Sequence, residues 1–306
     1  MIALDKHYQD FIYHIQFVEP LSKNTVENYR RDVEEYIRFL KRQKIEDIDQ
    51  VTHALLIEYF SDMTHTLQPA SISRKRVSVR QFHRYLHRFG RAQFNPTTLL
   101  SSHKEAQRIP KAVSIDSVRT LVSFEKELPK DFLDFAIILL LFRCGLRVSE
   151  CVDLSFQQYN EHEGWLRILG KGNKERFVPI SKDANDALKA YIKTTRPICI
   201  KKQNDASRRY IFFTLRGNRI TRQYVHEMLQ YRCNETGVNE HISAHTLRHT
   251  FATTLLDAGV DLRIIQELLG HEDIQTTQIY THVKRQTLKN EYERYMFGDF
   301  DFEGDD

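Results

Sequence analysis

The sequence predicts a mainly α-helical protein of two domains, with a small antiparallel β-sheet in the second. Three observations carry this. Most of the chain repeats apolar residues three and four apart, the spacing of one helix face. Between about 91 and 111, Asn95-Pro96, Ser101-Ser102 and Pro110 interrupt that spacing, as a linker does. Leu166 to Leu169 and Arg176 to Ile180 are short strand-like runs joined by Gly170-Lys171-Gly172-Asn173-Lys174, a glycine-rich hairpin turn. With 306 residues the chain is longer than a usual single domain, and the boundary is drawn to give domains 1–105 and 106–306.

Taken in order, the first domain reads as four helices near 3–18, 24–42, 52–63 and 70–89. Asn24 is the expected N-cap of the second, with Glu27 three residues on and a stripe of Val26, Val33, Tyr36, Ile37 and Leu40. The fourth buries Ile72, Val79, Phe82 and Leu86, while Arg76, Arg80, Arg84, His83 and His87 are expected to point away from that stripe. In the second domain, helices near 115–126 and 130–143 lead to Gly145, a helix stop, and a new helix starts near Ser149. Helices near 183–195 and 221–233 follow, with an extended Tyr210 to Thr214 between them. Ser243 caps a helix reaching Asp257 with Leu247, Phe251 and Leu255 on its buried side, and Asp261 caps another that Gly270 ends. Trp165 reads as strand packing, and Tyr280 falls in a segment expected to be short helix.

Composition narrows the function classes. Hydrophobic residues at 41% and charged residues at 28% are those of a globular chain rather than a disordered one. The longest apolar run, Phe132 to Phe142, contains Asp134 and falls short of the ~20 apolar residues a bilayer requires. No signal peptide is visible, so the expected compartment is the cytoplasm, without a membrane partner. Cys144, Cys151, Cys199 and Cys233 lack metal-type spacing and are expected as free thiols; no metal site is expected. The overall charge of +4 says little, but its distribution says more. From Ala70 to Arg108, nine basic residues stand against Glu105 alone, a local charge of +8. A solvated face is one reading. The scarcity of acids favours phosphate binding by Arg74, Arg76, Arg80 and Arg84.

Two pairs of residues carry the chemistry. His245 and Arg248, three apart on one helix, project from one face beside its buried stripe. A half-buried arginine needs a fixed carboxylate or an external anion. Arg147 lies just beyond a helix stop, with Glu150 three residues away to hold its guanidinium.

These residues fall into an ordered pattern: Arg147-Val-Ser-Glu150, Gly170-Lys171-Gly172, His245-Thr-Leu-Arg248-His249, Leu269-Gly270-His271 and Tyr280-Thr-His282. The pattern resembles the tyrosine recombinase (phage integrase) family, most closely its Xer-type members. Leu21-Ser22 with Thr25 and Tyr29, Asn95-Pro96 and Ile109-Pro110-Lys111 extend the resemblance through the first domain, so it covers nearly the whole chain. It implies a SAM-like, DNA-binding helical domain followed by a catalytic domain, closing as a clamp around duplex DNA. It also implies Arg147, Lys171, His245, Arg248 and His271 as the active-site shell, with Tyr280 as nucleophile and Glu150 in support.

Elementary chemistry agrees with those roles. Two guanidiniums suit a phosphate gaining negative charge. A phenol of pKa near ~10 needs a proton acceptor or local positive charge, and His245 is the candidate acceptor. The leaving 5′ oxygen needs a proton, for which the family's match is Lys171; from the residues alone Lys174 competes, and it is also a candidate DNA contact. Gly170-Lys171-Gly172 lacks the spacing of a nucleotide-binding loop, and no cofactor, ATP included, is expected.

The expected partners are double-stranded DNA with specific sites and a related recombinase in a homo- or hetero-tetramer, with a DNA translocase as a further candidate. A disordered acidic tail is one reading of the C-terminal end; the resemblance implies another, in which Leu288 to Phe297 docks on a neighbouring subunit. Chromosome-dimer resolution through a four-way (Holliday) junction is the favoured role. Integration or excision of a mobile element, and DNA relaxation of the type IB topoisomerase kind, are the alternatives.

Overall fold

Helix periodicity in the first hundred residues resolves into α1 (Ile2–Tyr13), α2 (Lys23–Arg42), α3 (His53–Asp62) and α4 (Pro69–Arg88). In this computed structural model the residues described are 2–19, 21–100, 112–170, 175–200, 205–270 and 292. The chain divides into two units, Met1–Gln107 and Arg108–Asp306; the boundary expected between 105 and 106 falls outside the described residues.

In the first unit the four helices share one core, where Phe11, Val33, Tyr36, Leu40, Leu56, Phe60, Val79, Phe82 and Leu86 are buried. Three local expectations change. The first helix ends in a π turn, His14–Val18. The α2 cap is Ser22, not Asn24: its Oγ accepts from the Thr25 amide at 3.2 Å. His83 is fully buried on the stripe side of α4, where Tyr36 Oη lies 2.9 Å from its Nε2.

The second unit is built around α6 (Pro129–Arg143), preceded by α5 (Ile115–Leu121) and followed by α7 (Val148–Val152). Ile137 to Phe142 are buried in succession, so this helix is apolar all round, as a central core helix must be. A three-stranded antiparallel sheet, β1 (Tyr159–Asn160), β2 (Trp165–Leu169) and β3 (Glu175–Pro179), runs in sequence order, with Leu166 opposite Val178 and Ile168 opposite Arg176. The sequence reading missed the short first strand. Next come α8 (Lys182–Thr194), α9 (Arg196–Cys199), α10 (Asp205–Arg208), α11 (Arg222–Thr236), α12 (Ala244–Asp257) and α13 (Leu262–Leu269). The segment read as extended, Tyr210 to Thr214, holds only two isolated bridges, Ser155 with Tyr210 and Phe213 with Arg219.

Trp165 packs as expected, in a second cluster with Phe251, Leu255, Leu268, Leu269 and Tyr292. Tyr292 is buried in its own chain and donates its hydroxyl to the Arg143 carbonyl at 2.9 Å. At this residue the contact is therefore within the chain, whereas the sequence reading sent Leu288 to Phe297 to a neighbour; the rest of that stretch lies outside the described residues. All four cysteines are buried and unbridged. Among the described residues, no helix is long and apolar enough to cross a membrane.

Candidate functional site

The site forms where four chain segments of the second unit meet, and a helix end sets its geometry. The last carbonyls of a helix have no partner within it and carry the negative end of its dipole. At the end of α13, three successive carbonyls each accept from a different arginine. Leu268 accepts from Arg176 Nε at 2.8 Å, Leu269 from Arg248 Nη2, and Gly270 from Arg147 Nη2 at 3.1 Å. Gly270 makes this possible by turning the chain with a φ of +66°.

Glu150, in the first turn of α7, joins these arginines from the other side. Its carboxylate accepts from the Arg147 amide at 2.7 Å and from Arg147 Nη1 at 2.9 Å, as the sequence spacing anticipates. The same two oxygens also take both Nη groups of Arg176, each at 2.7 Å. Burial opposes ionisation of Glu150, but the bonds from Arg176 and Arg147 outweigh it and hold its carboxyl below the ordinary carboxylate value.

Arg248, on α12, donates Nη1 to the Gly145 carbonyl at 2.6 Å. Burial, and then the charges of Arg147 and Arg176, push its guanidinium down to about 10, with Glu150 acting in the opposite sense. It therefore stays charged at neutral pH, in surroundings that an added anion would relieve. Three guanidiniums against a single carboxylate leave two positive charges in excess. The arginine side chains differ in exposure: 41% for Arg147, 11% for Arg248 and 5% for Arg176. The first two can meet a ligand from outside, whereas the third is enclosed.

His245 lies one helical turn before Arg248 on α12 and is exposed. Lys171, Lys174, His271 and Tyr280 lie outside the described residues. The structure thus brings Arg147, Glu150 and Arg248 together and adds Arg176, which sequence reasoning placed only within a strand. A signal existed. Arg176 shares its register with Val178 and Ile180, the inward face of β3, and a cation in that register needs an anion.

The basic stretch of the first unit is more compensated than its sequence suggests, because the acids come from earlier parts of the chain. Asp32 on α2, fully buried, pairs with Arg74 and accepts from Ser78 Oγ at 2.7 Å. Glu35 takes Lys75 at 2.6 Å, Glu19 takes Arg88 at 2.9 Å, and Asp10 takes Arg91. Arg80 donates to the Leu100 carbonyl at 3.0 Å, and Arg76 lies over the Phe60 ring. Arg84 is exposed and makes no hydrogen bond or ion pair among the described residues.

Comparisons with known proteins agree across both units. The phage integrase family matches residues 111–287, and the phage integrase N-terminal SAM-like domain matches residues 8–90. The chain is 34% identical over 297 residues to tyrosine recombinase XerD of Staphylococcus saprophyticus, covering 95% of this chain and 99% of that protein. It is 35% identical over 299 residues to tyrosine recombinase XerD of Halalkalibacterium halodurans, covering 96% and 99%. In fold it is similar to XerH site-specific recombinase bound to a palindromic difH substrate in a post-cleavage complex, with a TM-score of 0.67 and 20% identity over 89% of this chain and 80% of that one. Two adjoining domain matches and near-complete coverage at this identity lead to one assignment: the chain belongs to the phage integrase family and is a site-specific tyrosine recombinase of the Xer type.

Proposed function

We propose that this recombinase cuts and rejoins double-stranded DNA at specific sites through a 3′-phosphotyrosyl bond to Tyr280, with Arg147 and Arg248 clamping the scissile phosphate. The observation that carries this is the convergence of three guanidiniums on Glu150 and the end of α13, with two positive charges in excess. As Tyr280 attacks, charge builds on the non-bridging oxygens. Donors already held in place stabilise that charge without reorganising. His245 takes the phenolic proton, Lys171 delivers a proton to the leaving 5′ oxygen, and His271 bonds the phosphate. The phosphodiester energy is kept in the new bond, so the freed 5′ hydroxyl of a second strand can attack the phosphotyrosine and release Tyr280, with no ATP consumed.

On this reading Arg76, Arg80, Arg84 and Lys174 contact the DNA backbone. Arg74, paired with Asp32, supports them from within α4. The active assembly is a tetramer of this chain, or of this chain with a related recombinase, on paired sites in the cytoplasm, and exchange runs through a Holliday junction. Near full-length similarity to XerD supports chromosome-dimer resolution, with a DNA translocase as a candidate activator.

The test is a supercoiled plasmid carrying two candidate sites from the same genome, incubated with EDTA and no ATP. Deletion or inversion products, with four-way junctions as intermediates, are expected. Relaxation without exchange of partners would replace this reading with a topoisomerase-like one.

A further inference from the structure

We propose that Arg176 is a positioning residue for the cleavage reaction: it fixes Arg147 and Arg248 against the scissile phosphate and neutralises the carboxylate that would otherwise oppose them. This rests on the phosphate-clamp reading above.

Consider first what Glu150 would do alone. Its oxygens lie 2.9 Å from Arg147 Nη1 and 3.8 Å from Arg248 Nη1. An unmatched carboxylate at that range would draw both guanidiniums towards itself and cancel charge that a phosphate needs. Arg176 limits this by sharing both oxygens at 2.7 Å, a planar fork on a planar acceptor, so that the charge of Glu150 is matched while it still holds Arg147 Nη1.

Its third bond sets the register. Nε donates to the Leu268 carbonyl at 2.8 Å, next to the Leu269 and Gly270 carbonyls that hold Arg248 and Arg147. One enclosed side chain on β3 therefore ties the carboxylate of α7 to the helix end that seats both clamp arginines. Its aliphatic part also packs under the α13 stop: a Cβ at Gly270 would lie 3.0 Å from Arg176 Cδ. Arg176 is 4% exposed and is placed to act through its neighbours rather than on the DNA.

Arg176→Gln removes the charge. Arg176→Lys keeps it but cannot form the fork. Both are compared with wild type in the full chain on nicked suicide DNA, by the single-turnover rate of covalent adduct formation, with thermal melting and DNA binding alongside. A loss of about 10–100-fold in rate is expected for each, by analogy with residues that orient a metal ligand.

The deciding measurement repeats the assay with a methylphosphonate at the scissile position. This neutral linkage needs less charge stabilisation. If Arg176 serves the clamp, the deficit of both variants shrinks on methylphosphonate DNA, as it does for the reference variant Arg248→Ala. Equal deficits on the two substrates, with Arg248→Ala relieved, would overturn the role of Arg176. No relief in Arg248→Ala either would instead overturn the clamp on which that role depends.

Discussion

The Gly145 carbonyl accepts from Arg248 Nη1 at 2.6 Å, so the residue that ends α6 also anchors an arginine of the proposed phosphate clamp. Gly145 has a φ of +57°, and a Cβ there would lie 2.4 Å from the Phe251 ring. Two costs combine on adding a methyl group: about 1–2 kcal/mol for an L-residue in the left-handed region, and about 1–3 kcal/mol for overpacking. Gly237, with a φ of +73° and nothing within 4 Å of its would-be Cβ, carries only the first. Urea denaturation should therefore show Gly145→Ala losing more stability than Gly237→Ala, and cleavage should fall only in the former. Equal losses would contradict the close packing of Gly145 on Phe251.

The buried pair Tyr36 and His83 makes the first unit sensitive to acid. Burial lowers His83 from 6.5 to about 3, so the folded protein keeps it neutral while the unfolded chain protonates it. Because the folded value is depressed, stability is complete above about pH 6.5 and is lost as pH falls towards 3. At pH 5 the loss is about 2 kcal/mol, taking 1.36 kcal/mol per pH unit below the unfolded value. Denaturation of the full chain at pH 7.5 and pH 5 checks this, with His83→Gln flattening the difference for the first unit. An unchanged pH dependence in that variant would contradict it.

Neighbouring arginines on α4 should behave differently. Arg84 has no partner among the described residues, so Arg84→Ala should weaken DNA binding and reduce the slope of log affinity against log salt by about 0.9. Arg74→Ala leaves Asp32, which is 0% exposed, without its guanidinium and should cost about 1–3 kcal/mol of stability. Fluorescence-anisotropy titrations at several salt concentrations, with melting curves, separate the two effects. A salt slope that changes only in Arg74→Ala would reverse the assignment.

Local signals were legible in the sequence. Helix periodicity, the Ser243 and Asp261 caps and the Gly145 and Gly270 stops located the elements that seat Arg147 and Arg248. The spacing of Arg147 and Glu150 anticipated their bond because three residues span one helical turn. What stayed hidden depends on residues far apart in the chain. Asp32 neutralises Arg74 across 42 residues, and Arg176 reaches Glu150 across 26. His83 departs from its expected face: four residues after Val79 and three before Leu86, it shares their buried stripe, and Tyr36, 47 residues away, meets it there. Counting charge along one segment overlooks acids that folding brings to it, and so overstated how much of the basic stretch is open to DNA.

Tyr280 is the proposed nucleophile on which the cleavage chemistry depends. The most direct measurement incubates wild type and Tyr280→Phe with nicked suicide DNA carrying candidate sites, in EDTA without ATP, and resolves the products on denaturing gels. A covalent protein–DNA adduct in wild type that is absent from Tyr280→Phe, with DNA binding retained, is the expected result. An adduct that persists in Tyr280→Phe would contradict it.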